Sequence, residues 1–339
     1  GERKSNKKLN LIDAGINYQI ELLNQAQNKY RFLMRILICS KNTLFFAVNK
    51  PINDTYQKSN CFTIKAYPYQ TDSEIKNVDK EIQIVYTLSD SKSIIKYIDS
   101  FQDFYFNKHH MFLVMPYYEK LDLMEEAHQV IGKIKEFVSF PEEDICQIAF
   151  QALNILKLLK DRKIVHNNIK LENILLKTRK PIRIVLTDFE FADVIEKQLS
   201  QNFKGFPYTH APEVLEHKPH DTSADIWSLG FLLYQLLAKT NPFYLQKEMN
   251  EDDVLGNITY EKLEKFDIPD IPYNLISQML ELDPTKRISV ENALQSKWFD
   301  GIEVIDLDVP DIILDTKGAM SELEKTISDS ENYRRGDTQ

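Results

Sequence analysis

The residues that could carry chemistry in this chain stand in three short runs. The run His166-Asn167-Asn168-Ile169-Lys170-Leu171-Glu172-Asn173 crowds a histidine, a lysine, a glutamate and several amides into one loop. A carboxylate follows in Thr187-Asp188-Phe189-Glu190, and a lysine closes the largely apolar run Phe62-Thr63-Ile64-Lys65. A lysine ammonium is a compact charge that meets phosphate, and carboxylate and amide oxygens are hard donors. An amide takes up no proton, so Asn168 leaves the middle of this loop without a base.

The loop resembles the H-R-D-L-x-x-x-N catalytic loop of protein kinases, with Asn168 where the catalytic aspartate would stand. Thr187-Asp188-Phe189-Glu190 is similar to D-F-G with its glycine replaced, and Phe62-Thr63-Ile64-Lys65 to V-A-I-K. Ala211-Pro212-Glu213 matches A-P-E, and Asp225-Ile226-Trp227-Ser228-Leu229-Gly230 matches D-x-W-S-x-G. Arg287 lies where it would pair with Glu213 as kinases pair them. The resemblance covers residues 29 to 299, about four-fifths of the chain. It implies an α+β, bilobal protein-kinase-like fold: a small β-rich N-lobe with one helix, then a larger, mainly helical C-lobe.

The same resemblance implies a site for ATP with magnesium. Lys65 would touch the α and β phosphates, pinned by Glu81, with Glu74 as a weaker candidate. Asn173 and Asp188 would hold the metal, and Lys170 would neutralise phosphate. Met115 falls at the gatekeeper position, and Pro116-Tyr117 at the hinge that reads adenine through backbone groups. Phe189, His166 and Val85 fit the apolar stack that joins kinase lobes, and Lys170 places the ancestry on the serine/threonine side.

The departures from the family pattern gather at the chemistry. A positioned general base is typically worth about 10²–10⁴ in rate, and Asn168 cannot act as one. The glycine-rich loop is missing: Ile38, Ser40 and Thr43 occupy its glycine positions, where side chains hold the backbone away from phosphate. Glu190 brings an extra negative charge, as a surplus metal ligand, as a partner of Lys65, or facing solvent. Asn167 replaces the arginine that docks an activation-loop phosphate, so modification at Ser200, Tyr208 or Thr209 is expected not to switch the segment. Weakened ATP binding and a pseudokinase acting as scaffold or allosteric regulator are therefore expected. A low-activity serine/threonine kinase is the alternative, and AMP transfer from a reversed nucleotide a third reading.

The elements must position these groups. Residues 10–28 read as a helical extension, and Tyr30 to Val48 as a hairpin followed by a loop at 49–60. A strand at Cys61 to Tyr67, a helix at Asp72 to Leu88, and strands at Ile94 to Phe101 and His110 to Met115 complete the N-lobe. A long amphipathic helix spans Glu142 to Lys160, and helical segments continue to Trp298. The expected organisation is an extension at 1–28, an N-lobe at 29–116, a C-lobe at 117–299 and an acidic tail at 300–339. In that tail the alternation at Ile302 to Val309 suits an added strand.

A net charge of −9 argues against a nucleic-acid partner, which would demand clustered lysine and arginine. No apolar run reaches membrane-spanning length. Cys39, Cys61 and Cys146 are scattered without metal-ligand spacing, as free thiols in a reducing compartment would be. An intracellular, cytoplasmic protein with a protein partner is the expectation.

Overall fold

The structure is a computed structural model, and it describes residues 28–38, 42–49, 61–105, 107–118, 128–131, 134–137, 140–196, 198–243, 250–260 and 263–302. The expected helical extension, all but its last residue, and the alternating tail beyond Ile302 lie outside these residues. So do Cys39, Ser40 and Lys41 of the segment standing in for the glycine-rich loop. The chain divides into two compact units. One contains residues 1–69, 98–119 and 308–339, the other 70–97 and 120–307.

The first unit is built on an antiparallel sheet of β1 (Tyr30–Ile38), β2 (Thr43–Asn49), β3 (Cys61–Tyr69), β4 (Asp99–Tyr105) and β5 (Lys108–Pro116). Their order is β1-β2-β3-β5-β4. Residues alternate between faces along each strand, and one face gathers Tyr30, Phe32, Phe45, Phe62, Ile64, Phe112 and Val114 into an apolar core. Edge-on aromatic pairs such as Phe32–Phe45, with centroids 5.4 Å apart, lock that core. The hairpin and the third strand form as the sequence predicts. The strand expected from Ile94 begins only at Asp99. Upstream, Ile94 makes a lone parallel bridge to Leu186, and Ile95 N–H donates to Leu186 O at 2.9 Å, so this backbone is satisfied in the second unit.

The second unit opens with α1 (Asp72–Thr87), which starts at a capping box. Thr71 Oγ1 accepts Glu74 N–H at 3.4 Å, and Glu74 Oε2 accepts Thr71 N–H at 3.0 Å. Glu74 thus stands at the helix start. A hairpin of β6 (His128–Ile131) and β7 (Ile134–Phe137) precedes α2 (Glu142–Asp161). Carboxylates in the first turn of α2 suit the helix dipole. Its buried stripe, including Ile145, Ile148, Leu153 and Leu156, runs through the core. The two-residue strands β8 (Ile164–Val165) and β11 (Asp193–Val194) pair antiparallel, as do β9 (Ile174–Arg179) and β10 (Ile182–Leu186).

Four helices follow: α3 (Pro212–Leu215), α4 (Ser223–Ala238), α5 (Glu251–Tyr260) and α6 (Asp270–Met279), with α7 (Val290–Ala293) near the end of the described chain. α4 is buried on nearly every side. At Gly230 an added Cβ would lie 2.8 Å from Met279 Cβ, so glycine lets α6 approach α4. A β-rich unit followed by a mainly helical one is the bilobal α+β fold expected from the sequence.

Candidate functional site

In the first unit, the sheet face opposite the core carries the expected nucleotide-side residues. Thr63 stands opposite Met115 and Lys65 opposite Leu113, so Lys65 and Met115 share that face. Lys65 is only 6% exposed, and its Nζ sits 4.6 Å from the centre of the Tyr67 ring. Phe46, Val48 and Cys61 form a second apolar cluster on this side, against which Tyr117 packs. The Phe46 and Tyr117 rings meet at 4.6 Å, and Tyr117 N–H donates to Cys61 O at 3.4 Å. Pro116 closes β5 beside buried Met115. An apolar sheet face with one buried lysine suits a flat ring joined to an anionic group.

In the second unit, the loop 166–173 is shaped by a buried carboxylate at the start of α4. Asp225 accepts His166 N–H at 2.7 Å and Asn167 N–H at 3.0 Å. Burial pushes the Asp225 carboxyl up to about 7, against the pull of those two amide bonds. Asn167 and Asp188 both adopt positive φ, 63° and 67°, a region asparagine and aspartate enter more readily than most residues. His166 Nδ1 accepts Asn168 N–H at 3.2 Å, which leaves the proton on Nε2, 3.1 Å from Thr187 O. The His166 and Phe189 rings meet edge-on at 4.7 Å, two members of the expected stack.

Asn168 is 3% exposed, and its Nδ2 donates to Asp188 Oδ2 at 2.9 Å. Asn168 Oδ1 is buried with no hydrogen-bond partner among the described residues. An oxygen so placed can accept a donor or face a cation. Asn173 Nδ2 donates to Asn168 O at 2.8 Å, and Thr187 N–H to Asn173 O at 3.0 Å, which brings Asn173 and the Asp188 turn together. Lys170 Nζ lies 5.3 Å from the Phe206 ring centre, a cation–π contact.

The donor set suits magnesium. That ion binds through one or two carboxylates and completes its shell with water and phosphate oxygens. Asp188 offers a carboxylate and Asn173 an amide oxygen, both hard. Among the described residues no group of three or more His, Cys, Asp and Glu forms a self-sufficient metal cage.

Glu81 is buried on α1, and Tyr97 Oη donates a short hydrogen bond to its Oε1. The Tyr97 phenol is pushed well above its usual range by burial, then by the Glu81 charge, with Asp188 and Glu190 adding to it. Glu190 is half-buried. The expected Arg287–Glu213 pair is present and bidentate, at 2.6 and 3.0 Å, with side chains 0% and 6% exposed. Arg287 also lies over the Trp227 ring at 5.2 Å.

Sequence reasoning missed Tyr97, the Lys80–Asp193 ion pair and His220. Tyr97 sits in a run that alternates like a strand, and its hydroxyl gave no sign of a carboxylate partner. Ser200, Thr209 and Tyr208 separate by burial: the first two are each 3% exposed, while Tyr208 is half-buried.

Comparison with known proteins accords with this geometry. The family model of the protein kinase domain matches residues 47–299. The chain is similar to MAP kinase-activated protein kinase 2 of Drosophila melanogaster, 26% identical over 318 residues, covering 91% of this chain and 84% of that protein. Calcium/calmodulin-dependent protein kinase type 1B of Rattus norvegicus is 28% identical over 235 residues, 68% of this chain and 65% of that protein. The chain thus spans just under two thirds of the length of that second relative. In fold it resembles the kinase PK-1 of Cydia pomonella granulovirus, with a TM-score of 0.67 and 21% identity over 83% of this chain and 98% of that one. The chain therefore belongs to the protein kinase domain family.

Proposed function

We propose that this member of the family is a pseudokinase, a nucleotide-binding scaffold or allosteric partner for another protein, with little or no phosphoryl transfer. The observation that carries this reading is the bond from Asn168 Nδ2 to Asp188 Oδ2 at 2.9 Å. The base position holds an amide whose donor is committed to the neighbouring carboxylate, so no group there can draw the proton from an attacking hydroxyl. ATP is the proposed ligand. Lys65 and the Met115–Tyr117 stretch would hold its phosphate and ring ends, Lys170 would lie near the phosphates, and Asp188 and Asn173 would take magnesium. The intact Arg287–Glu213 pair keeps the helical unit folded and bears equally on either reading.

A second reading is a slow serine/threonine kinase, favoured by the survival of both Asn173 and Asp188 beside the loop. Phosphoryl transfer depends mainly on positioning and electrostatics, so loss of a base alone does not forbid it. The two readings separate in an assay of ADP formation with magnesium or manganese. The pseudokinase forms ADP no faster than its Asp188→Ala variant. Formation clearly above that variant selects the slow kinase. Calorimetric titration of ATP into the wild type and Lys65→Ala tests binding separately, with weaker binding expected in the variant.

A further inference from the structure

Lys170 is the lysine of the loop 166–173, and among the described residues its Nζ makes neither a hydrogen bond nor an ion pair. What it meets is the face of the Phe206 ring, 5.3 Å from the centroid. A ring face attracts a cation through its quadrupole. The backbone around Phe206 is fixed without any help from Lys170. Gly205 takes a φ of +139°, and a Cβ there would lie 2.9 Å from Asn167 O and 2.7 Å from His210 Nε2. Glycine therefore lets the chain lie directly against the loop at Asn167. On the other side, Thr209 N–H and Thr209 Oγ1 both donate to Phe206 O at 3.2 Å. Thr209 O accepts Ser228 Oγ of α4 at 2.7 Å, which ties this turn to the buried helix. The Phe206 ring also rests against the Tyr208 ring, with centroids 5.0 Å apart.

We propose that Phe206 is a positioning residue for Lys170, its ring holding the ammonium beside the loop for the phosphates of a bound nucleotide. Two observations made on different atoms carry this. The ring contact gives Lys170 an uncharged partner. The contacts of Gly205 and Thr209 set the place of that ring from the backbone side. A lysine side chain gives up much rotamer freedom when a ligand orders it. The ring restrains Lys170 in advance, so less freedom is left to lose when phosphate arrives. An ammonium has three donors, and a ring face leaves oxygens free to take them. A charge-assisted bond to phosphate is the stronger contact, so the ring restrains Lys170 without withholding it.

The inference rests on the nucleotide reading above, in which Lys170 lies near the phosphates. ATP is titrated calorimetrically, with magnesium, into the wild type, Phe206→Leu, Phe206→Tyr, Lys170→Met and the double variant Phe206→Leu/Lys170→Met. Phe206→Leu keeps apolar bulk and loses the ring, so ATP is expected to bind about two- to fivefold more weakly. Phe206→Tyr keeps a ring face and is expected to bind as the wild type does. In the Lys170→Met background, Phe206→Leu is expected to change nothing. A loss from Phe206→Leu that is equal with and without Lys170 overturns the proposal. Unchanged or tighter binding in Phe206→Leu overturns it as well. In both cases weaker binding by Lys170→Met alone keeps Lys170 beside the phosphates. If Lys170→Met binds ATP as tightly as the wild type, that placement of Lys170 falls together with the proposal. A wild type that binds no ATP overturns both the nucleotide reading and the proposal.

Discussion

Asn167 and His220 face one another at 2.8 Å, amide Oδ1 against imidazole Nε2, inside the second unit. The other end of the Asn167 amide donates to Phe191 O at 3.0 Å and to Ser200 Oγ at 3.3 Å, which fixes Oδ1 as the acceptor. Ser200 Oγ in turn donates to Asp193 Oδ2 at 2.7 Å, and Lys80 of α1 pairs with Asp193. The backbones of Ser200 and His220 exchange hydrogen bonds at 2.9 and 3.0 Å. Where the kinase pattern would place an arginine awaiting a phosphate, this chain has an uncharged amide already engaged. The segment is ordered by groups that need no modification.

Ser200→Ala removes a buried hydroxyl that also accepts Asn202 N–H at 3.2 Å. We predict a loss of about 1–3 kcal/mol of local stability, seen as faster hydrogen exchange across residues 191–220. Ser200→Asp should loosen the segment further, because it sets a second carboxylate beside Asp193. Slower exchange in Ser200→Asp would mean that a phosphate orders the segment after all.

His210 should make the second unit sensitive to acid. Burial, with His220 nearby, lowers its imidazole from 6.5 to about 4, and its Nε2 has no hydrogen-bond partner among the described residues. The folded chain therefore binds fewer protons than the unfolded chain between those values. Stability present above the higher one is lost as pH falls toward the lower. Asp225 works oppositely: its raised carboxyl favours the fold at low pH, and that contribution fades as pH rises toward about 7. The difference between proteins isolates His210. Unfolding temperature in His210→Gln should fall less between pH 6.5 and 4 than in the wild type. Parallel profiles would contradict the assignment.

Tyr97→Phe keeps the ring and removes the donor to buried Glu81. A hydrogen bond to a charged group is worth about 1.5–3 kcal/mol. Urea unfolding of the second unit should show a loss of that order. A loss below about 0.5 kcal/mol would show that the hydroxyl adds little there.

Arg287→Ala leaves the buried Glu213 carboxylate without its bidentate partner, and breaking such a pair typically costs about 3–5 kcal/mol. We expect little folded second unit at physiological temperature, measured by circular dichroism. A milder effect is expected when both residues are replaced together by apolar ones of similar volume.

Fold class was legible because the motifs are ordered and α2 carries a helical apolar stripe. The segment from Ile94 misled because Leu186 satisfies its backbone, accepting from Ile95 N–H and donating to the adjacent Ser93 O, in place of a sheet neighbour. Loss of the base at Asn168 could be read from one letter. What that letter does instead could not, since the bond to Asp188 depends on the positive φ at Asp188 and on the brace from Asn173. The Asn167–Ser200–His220 network joins positions tens of residues apart, and no local pattern announces it.

The most direct test of the pseudokinase reading is intact mass after incubation with ATP and magnesium or manganese, beside a generic acceptor protein and the Asp188→Ala variant. No phosphoryl-sized gain on the chain or the acceptor is predicted, with wild type and variant alike. A phosphoryl-sized gain that disappears in Asp188→Ala would contradict it and make this chain a working kinase, and an adenylyl-sized gain would contradict it in favour of AMP transfer.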